Sequence, residues 1–337
     1  MIRLGCLGFG AWGRNVVRVA DATPGARLVA VAETDARKRP LVTARHSGVD
    51  VHDNERRLIA RKDIDAVLIA TNAPTHAALV VAAAEAGKHV FVEKPLALDP
   101  VSAREAVAAA RAADVRLQVG HLLRYHPAVE VLFRVAREEL GPIRCIASQR
   151  LNFGTVRADE NVLFSLGPHD LSLMLALFGG APLSVAAHGA AYVREGVEDL
   201  AFLTLRFDHG AIGQMHLSWL DPHKVRRFTV VGERKMAVFD DMEPREKVKI
   251  FDQGVDAPSG YWVYGENLAL RNGEIRLPPF AATEPLSVEL AHFVECVREG
   301  KTPRTPGEEG ILVVDVLDAA QRSLRQGGVP LDLATLL

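Results

Sequence analysis

A lysine follows a short apolar run in Val90-Phe91-Val92-Glu93-Lys94-Pro95. If this run is a strand of a parallel sheet, Lys94 lies at its carboxyl end, where doubly wound sheets bind their ligands. An amine there can exchange a proton with a bound substrate. We expect Pro95 to fix the turn, and Glu93 to pair with Lys94 or to contact a cofactor ribose. Lys94 is also a candidate cofactor-binding residue. If Glu93-Lys94-Pro95 is considered without the preceding apolar run, the alternative interpretation is a Glu–Lys ion pair on the protein surface.

Three glycines, Gly8, Gly10 and Gly13, have GxGxxG spacing between a predicted strand and a predicted helix. Such a turn brings backbone amides and a helix N-terminus close to a pyrophosphate, which side chains on the glycines would obstruct. Glu33, twenty residues after Gly13, ends the next predicted strand and can accept hydrogen bonds from an adenosine ribose. The remaining candidate cofactor residues of this turn are Phe9, Ala11 and Trp12. A purely structural turn is the alternative.

Glu33 also favours NAD over NADP, because a carboxylate repels the 2′-phosphate of NADP. The nearby cations Arg37, Lys38 and Arg39 keep NADP open as the less favoured cofactor, since they can offset that repulsion. A solvated helix start is the simpler interpretation of these three residues. We therefore predict NAD as the cofactor.

A further polar segment, Thr71-Asn72-Ala73-Pro74-Thr75-His76, follows the predicted strand Ala66–Ala70. At the carboxyl end of a neighbouring strand it should line the same crevice. We expect its candidate residues to contact the nicotinamide ribose or the diphosphate, although a histidine at a helix start can equally satisfy backbone groups. These candidates are Thr71, Asn72, Pro74 and His76.

Composition narrows the class of protein. Forty basic and forty-two acidic side chains give 337 residues a formal net charge of −2, which provides no bulk attraction for nucleic acid or an anionic membrane. The three cysteines are scattered without a CxxC pair, so buried thiols are expected. His121, His126 and His169 are spaced too irregularly for a metal site. Without a leader or a membrane-spanning run, the expected location is the cytoplasm.

The elements that position these residues alternate between strand and helix up to about residue 120, which predicts an α/β fold with a doubly wound parallel sheet. Longer β-rich segments follow a linking helix, Pro127–Leu140, and predict a C-terminal α+β domain on a largely antiparallel sheet. The predicted domains are 1–121 and 122–337. The last helices, Ser287–Glu299 and Glu308–Arg325, are expected to pack back towards the first domain. The first-domain strands are predicted at Arg3–Gly8, Arg27–Ala32, Ala66–Ala70, His89–Val92 and Leu117–Gly120.

These motifs, with Gly120-His121 and Pro168-His169-Asp170, resemble the Gfo/Idh/MocA oxidoreductases over essentially the whole chain. The resemblance implies an N-terminal Rossmann domain and a C-terminal open sheet used to form a homodimer or homotetramer. It also implies reversible hydride transfer between NAD and a sugar or cyclitol carbon. Several stretches are similar to the UDP-N-acetylglucosamine 3-dehydrogenase branch. They are 120–127, 148–152, 168–172 and 219–224.

The resemblance also assigns catalytic candidates. Lys94 corresponds to the family's lysine and His169 to its second-domain histidine, while Ser165 stands where relatives commonly carry an aspartate. We expect His169 to be the acid/base and Lys94 to orient and polarise the reacting oxygen, with exchanged roles as the alternative. Ser165 cannot carry a carboxylate's charge, so it leaves open a catalytically weakened dinucleotide-binding sensor.

A nucleotide-sugar substrate requires contacts for a diphosphate and a surface on which its base can stack. The candidate substrate residues are Arg124, Tyr125, Arg150, Asn152 and Arg157. The predicted activity is NAD-dependent oxidation of a secondary alcohol, at C3 of UDP-N-acetylglucosamine or its uronic acid. An NADP-dependent keto-sugar reductase on the same scaffold is the alternative enzyme.

Overall fold

The computed structural model describes residues 1–154, 156–157, 159–256 and 269–333. The chain divides into two compact units. The first unit comprises Met1–His126, Arg157–Ser172 and Thr283–Asp318, and the second comprises Pro127–Val156, Leu173–Ala282 and Ala319–Leu337. The predicted domains 1–121 and 122–337 follow chain order, whereas the first unit takes in two later segments.

The first unit contains a six-stranded sheet in which every paired strand is parallel. Its strands are β1 (Ile2–Leu7), β2 (Ala26–Ala32), β3 (Asp50–His52), β4 (Ala66–Ile69), β5 (His89–Glu93) and β6 (Leu117–Gly120). The strand order is β3-β2-β1-β4-β5-β6, so the direction of strand succession reverses between β1 and β4. This confirms the doubly wound fold and places the ends of β1 and β4 at the ligand-binding switch point.

Helices connect these strands, in the alternation that the sequence predicted. They are α1 (Gly13–Ala22), α2 (Arg39–Arg45), α3 (Glu55–Ile59), α4 (His76–Glu85) and α5 (Pro100–Ala112). Asp99 caps α5 by accepting a hydrogen bond from the Ser102 amide at 2.8 Å, ahead of the first-turn proline Pro100. The short elements α2, β3 and α3 were not predicted, because they are too brief to show a clear hydrophobic period.

The later segments of the first unit complete its core. Helix α8 (Pro285–Glu299) contributes Leu286, Leu290 and Phe293 to an apolar cluster that also contains Phe91 of β5. Helix α9 (Gly307–Arg325) contributes Val314 to a second cluster, which contains Val90 and Val92. The central strands are therefore buried on both faces, as their unbroken apolar sequences require.

The second unit contains a nine-stranded sheet with the order β14-β13-β12-β11-β7-β10-β9-β8-β15. Its strands are β7 (Ile143–Phe153), β8 (Ser184–Ala190), β9 (Leu200–Arg206), β10 (Ile212–Ser218), β11 (Leu220–Gly232), β12 (Met236–Asp240), β13 (Val248–Asp256), β14 (Ala269–Arg276) and β15 (Leu331–Asp332). All its pairs are antiparallel except β7 with β10. The prediction of a largely antiparallel sheet is confirmed.

Two further helices are α6 (Pro127–Glu138) and α7 (Val162–Phe178). The sequence predicts a helix at His169–Phe178, directly after Gly167-Pro168, because a proline usually ends or begins a helix. That boundary was wrong, since α7 runs through Pro168 and begins at Val162. Ser165 and His169 are therefore neighbours four residues apart on one helix. Within the described ranges, none of the helices has the length and apolar character needed to cross a bilayer.

Candidate active site

The turn after β1 has room for backbone atoms only. Gly8 adopts a φ of +93°, and a Cβ there would lie 2.7 Å from the Ala70 carbonyl oxygen. A Cβ on Gly13 would lie 2.4 Å from the Gly8 carbonyl oxygen, whereas one on Gly10 would meet no atom within 4 Å. Gly8 and Gly13 thus allow the chain to turn into α1, and Gly10 borders open space. This is the shape expected of a pyrophosphate cradle.

A cavity of about 250 Å³ adjoins this turn. It is lined by Gly8, Gly10, Glu33, Thr34, Asp35, Lys38, Glu55, Ala70, Thr71, Asn72 and Thr75. The Glu33 carboxylate is buried and accepts hydrogen bonds from the Phe9 and Asp35 amides, both at 2.8 Å. Glu33 therefore joins the glycine turn to the end of β2. Each of its oxygens has a second lone pair with which to accept a ribose hydroxyl.

Two cations near this cavity, Arg37 and Lys38, lie close to the Asp35 carboxylate, which is not among the predicted site residues. Asp35 contacts the Arg37 guanidinium at 2.9 Å and lies 3.9 Å from the Lys38 amine. Hydrogen bonds from Arg37 lower the pKa of Asp35 to about 2. Asp35 adds a negative charge to the wall that already holds Glu33. Arg37 and Lys38 are thus engaged locally, which supports NAD as the cofactor.

The segment after β4 divides into exposed and buried residues. Thr71 and Asn72 line the cavity, and Pro74 is exposed. His76 is only 1% exposed, and its Nδ1 and Nε2 lie 2.8 Å from the Pro95 carbonyl oxygen and 3.2 Å from that of Thr71. The expectation that His76 contacts the cofactor is corrected here, because its ring is enclosed. The imidazole instead links the β4 loop to the turn after Lys94.

The two charged residues at the end of β5 point to different partners. Glu93 is buried, and its carboxylate accepts hydrogen bonds from Trp12 Nε1 at 2.6 Å and from the Lys94 amide at 3.3 Å. Burial raises the pKa of Glu93 to about 7. Lys94 Nζ donates to the Ser165 carbonyl oxygen at 2.9 Å, and the Lys94–Pro95 peptide bond is cis. Glu93 thus joins the glycine turn, and Lys94 reaches helix α7.

Helix α7 brings the remaining catalytic candidates near Lys94. The buried Ser165 provides the carbonyl group that holds the lysine amine. His169 is half-buried one turn further along the helix, and its carbonyl accepts a hydrogen bond from the Ser172 hydroxyl at 3.0 Å. The main chain at Ser165 therefore orients the lysine, a role that does not depend on the type of side chain at this position.

Two of the proposed substrate residues are engaged inside the first unit. Arg124 forms a largely buried ion pair with Glu309 at 2.5 Å. Tyr125 has no exposed surface, and its hydroxyl lies 3.0 Å from that of Thr305 while the Arg304 guanidinium lies over its ring. The expectation that Tyr125 stacks on a substrate base is therefore wrong. Arg124 and Tyr125 are both engaged with other residues of the first unit.

The other three proposed substrate residues differ in their exposure. Arg150 and Asn152 lie two residues apart on β7, so their side chains share one face of that strand. Arg150 is 5% exposed and Asn152 is half-buried. Arg157 is exposed and forms an ion pair with Glu160 at 2.9 Å. Of the three, Arg157 therefore has the most accessible guanidinium.

Comparison with known proteins supports the interpretation of the first unit as a dinucleotide-binding domain. The family description "Oxidoreductase family, NAD-binding Rossmann fold" matches residues 2–121, and "GFO/IDH/MocA C-terminal domain" matches residues 103–238. The chain is 28% identical to scyllo-inositol 2-dehydrogenase (NAD(+)) of Bacillus subtilis, over 97% of this chain and 95% of that protein.

Solved structures are similar over nearly the whole chain. A protein from Magnetospirillum magnetotacticum MS-1 has a TM-score of 0.79 and 33% identity, covering 94% of this chain and 99% of the other. UDP-N-acetylglucosamine 3-dehydrogenase from Acidithiobacillus ferrooxidans has a TM-score of 0.83 and 25% identity, covering 96% and 98% of the two chains. The chain thus belongs to the Gfo/Idh/MocA family and is an NAD-binding oxidoreductase that acts on the CH–OH group of a sugar or polyol.

Proposed function

We propose that the protein catalyses the NAD-dependent oxidation of the C3 hydroxyl group of a nucleotide sugar, UDP-N-acetylglucosamine or its uronic acid. The observation that carries the catalytic part is the position of Lys94. Its amine leaves the carboxyl end of β5 and donates to the Ser165 carbonyl at 2.9 Å, one helical turn before His169. Two groups able to exchange protons are thereby provided at the end of the sheet where the glycine turn opens.

The residues around the glycine turn fit an NAD molecule. The open space beside Gly10 and the N-terminus of α1 suit the diphosphate, while Glu33 and Asp35 line the cavity proposed for the adenosine ribose. Two carboxylates there disfavour a 2′-phosphate. When bound, NAD accepts the hydride that leaves the alcohol carbon. The protein must therefore bind the alcohol and remove the proton from its oxygen.

His169 and Lys94 divide that task in our proposal. A histidine titrates near neutral pH and can take the hydroxyl proton directly. A lysine ammonium has three donors, and its hydrogen bond to Ser165 fixes the direction of the amine. Lys94 then polarises and orients the substrate oxygen, while His169 acts as the base. In the reverse direction His169 returns the proton to the ketone.

The nucleotide-sugar assignment is supported by likeness to UDP-N-acetylglucosamine 3-dehydrogenase, which extends over 96% of this chain. The exposed guanidinium of Arg157 is our candidate contact for a diphosphate, because guanidinium groups bind phosphate oxygens in a bidentate manner. Arg150 and Asn152 are the candidates on β7. A cyclitol is the second candidate substrate, because scyllo-inositol 2-dehydrogenase is 28% identical over 97% of the chain. A cyclitol has no diphosphate, so Arg157 should be dispensable for it.

Substrate assays distinguish these proposals. The purified protein is mixed with NAD and with UDP-N-acetylglucosamine, its uronic acid, scyllo-inositol or myo-inositol, and NADH fluorescence is followed. We expect turnover with a nucleotide sugar. The Arg157→Ala variant should have a KM for that nucleotide sugar about tenfold higher than the wild type, with little change in kcat. Turnover with an inositol alone would replace the nucleotide-sugar proposal with the cyclitol one.

The role of Lys94 is tested separately. Lys94→Ala should lower kcat about 100- to 10,000-fold, the usual range for a lost acid/base or polarising group. The Kd for NAD should change less than about threefold, because the lysine acts on the substrate oxygen. Lys62→Ala, at an exposed lysine of the first unit, is the matched control. Wild-type turnover by Lys94→Ala would reject the catalytic role.

A further inference from the structure

Helix α8 carries a carboxyl group into the apolar core of the first unit. Glu289 has no exposed surface, and neither of its carboxyl oxygens has a hydrogen-bond partner among the described residues. Its helix neighbours Leu290 and Phe293 belong to an apolar cluster. An ionised carboxylate in such surroundings is costly unless a cation or several donors compensate it. A protonated carboxyl group avoids most of that cost.

The strands beneath α8 place Glu289 in the neighbourhood of Glu93. In the parallel register of β5 with β6, Phe91 pairs with Gln118 and Glu93 with Gly120. Since alternate residues share a face, these four side-chain positions lie on one side of the sheet. Phe293 of α8 packs on Phe91 with ring centroids 6.0 Å apart, and Gln118 Nε2 donates to the Glu289 carbonyl oxygen at 3.3 Å.

The absence of a side chain at Gly120 makes room for the Glu93 carboxyl group on this face of the sheet. A Cβ at position 120 would lie 3.2 Å from Glu93 Oε2. Glu93 already accepts hydrogen bonds from Trp12 Nε1 and from the Lys94 amide. The side-chain oxygen of Gln118 is buried and, like both Glu289 carboxyl oxygens, has no donor in the described part of the chain. Acceptors therefore outnumber donors on this face.

We propose that Glu289 is a positioning residue of the cofactor site, held as a neutral acid so that Glu93 is the one carboxylate that binds Trp12 and the Lys94 amide. The proton on Glu289 supplies the donor that this face lacks. It also removes the repulsion that two buried carboxylates would exert on each other. Glu93 joins the glycine turn, through Trp12, to the turn that begins at Lys94. The relative position of these two turns therefore depends on Glu289 being protonated.

Among the described residues, the charged group that acts on Glu289 is a second carboxylate, Glu93, which provides no countercharge. Glu93 raises its pKa further, in addition to the effect of burial. Burial raises the pKa of Tyr125, and interaction with Glu289 raises it further. Tyr125 is therefore neutral at physiological pH. Lys94 Nζ donates its described hydrogen bond to the Ser165 carbonyl oxygen on α7.

Two substitutions in the full-length protein test the proposal. Glu289→Ala removes the acid, and we expect the Kd for NAD to rise at least tenfold. Glu289→Gln keeps a donor and an acceptor but cannot ionise, and it should restore the Kd to within about twofold of the wild type. Glu295→Gln, on the same helix but 46% exposed at its side chain and paired with Lys301, is the control. A Glu289→Gln variant as weak in NAD binding as Glu289→Ala would overturn the proposal.

Infrared spectroscopy reports the proton directly and needs no ligand. At about pH 9 Glu93 is ionised, since its pKa is about 7. The wild-type minus Glu289→Gln difference spectrum should still contain the carbonyl band of a protonated carboxyl group, and the Glu295→Gln difference spectrum should lack it. A carboxylate band in place of the carboxyl band at Glu289 would show that the residue is ionised and would refute the proposal. This readout also remains decisive if Glu289→Ala fails to fold.

Discussion

Burial of Glu93 should make the stability of the protein depend on pH in a direction opposite to that of an ordinary surface carboxylate. Its pKa rises from 4.5 to about 7 because burial disfavours the charged form, and the hydrogen bond from Trp12 only partly offsets this. Between these two pH values the folded state binds more protons than the unfolded state. Stability from this residue therefore falls as pH rises through that window.

The size of this effect follows from the two pKa values. At 1.36 kcal/mol for each tenfold change in proton affinity, the shift from 4.5 to about 7 makes ionised Glu93 destabilising by about 3 kcal/mol. The effect is absent well below pH 4.5 and fully present above about pH 8. Glu93→Gln removes the titration but keeps an oxygen that can accept the Trp12 hydrogen bond. When the stability difference between Glu93→Gln and the wild type is compared at two pH values, the part of the substitution's effect that does not depend on ionisation cancels.

The assay is urea unfolding of the wild type and Glu93→Gln at about pH 5 and pH 8, followed by circular dichroism. We expect the free energy of unfolding of the variant relative to the wild type to increase by about 2 to 3 kcal/mol between these pH values. Glu85→Gln, at an exposed carboxylate that ends α4, should change by less than about 0.5 kcal/mol. An unchanged relative stability would mean that Glu93 has an ordinary pKa, and a decrease would mean that its charge is stabilised.

Two further predictions concern the glycine turn and the buried ion pair. Gly10→Ala should weaken NAD binding at least tenfold but leave the free energy of unfolding unchanged, because its Cβ enters only the open space beside the turn. Gly13→Ala should weaken binding and also lower the free energy of unfolding by about 1 to 3 kcal/mol, because its Cβ would meet the Gly8 carbonyl oxygen. Equal losses of stability in the two variants would contradict this distinction. Arg124→Ala should destabilise the protein by about 1 to 3 kcal/mol in urea unfolding, because it leaves the largely buried Glu309 carboxylate without its cation. A raised substrate KM with normal stability would instead support the substrate role first expected for Arg124.

The fold was predictable because the repeated pattern of apolar strand and helix is local in sequence. Gly8, Gly10 and Gly13 identified the first turn, and the apolar run before Lys94 identified β5. The helix through Pro168 was misplaced because a proline signal was given more weight than the apolar residues before it. Tertiary packing outweighs such a local signal when it buries residues such as Leu163 and Phe164.

The partners of the site residues were harder to predict, because they come from distant parts of the chain. Nothing in the sequence pairs Trp12 with Glu93, or Arg124 with Glu309. Tyr125 was misassigned since an aromatic residue after a strand serves equally well for packing and for stacking. Asp35 carried a usable signal, because it lies two residues after Glu33 and two before Arg37. Attention to local charge pairs would have found it.

The first unit is assembled from three separated segments of chain, and this constrains its synthesis on the ribosome. Met1–His126 emerges first, but Thr283–Asp318, which carries the Leu290 and Phe293 side chains of its core, emerges only after the intervening residues. At about 5 to 20 residues per second, this delay is on the order of ten to thirty seconds. During that interval the nascent sheet exposes the apolar surface around Phe91. Chaperones that bind apolar surfaces should therefore engage this protein while translation is still in progress.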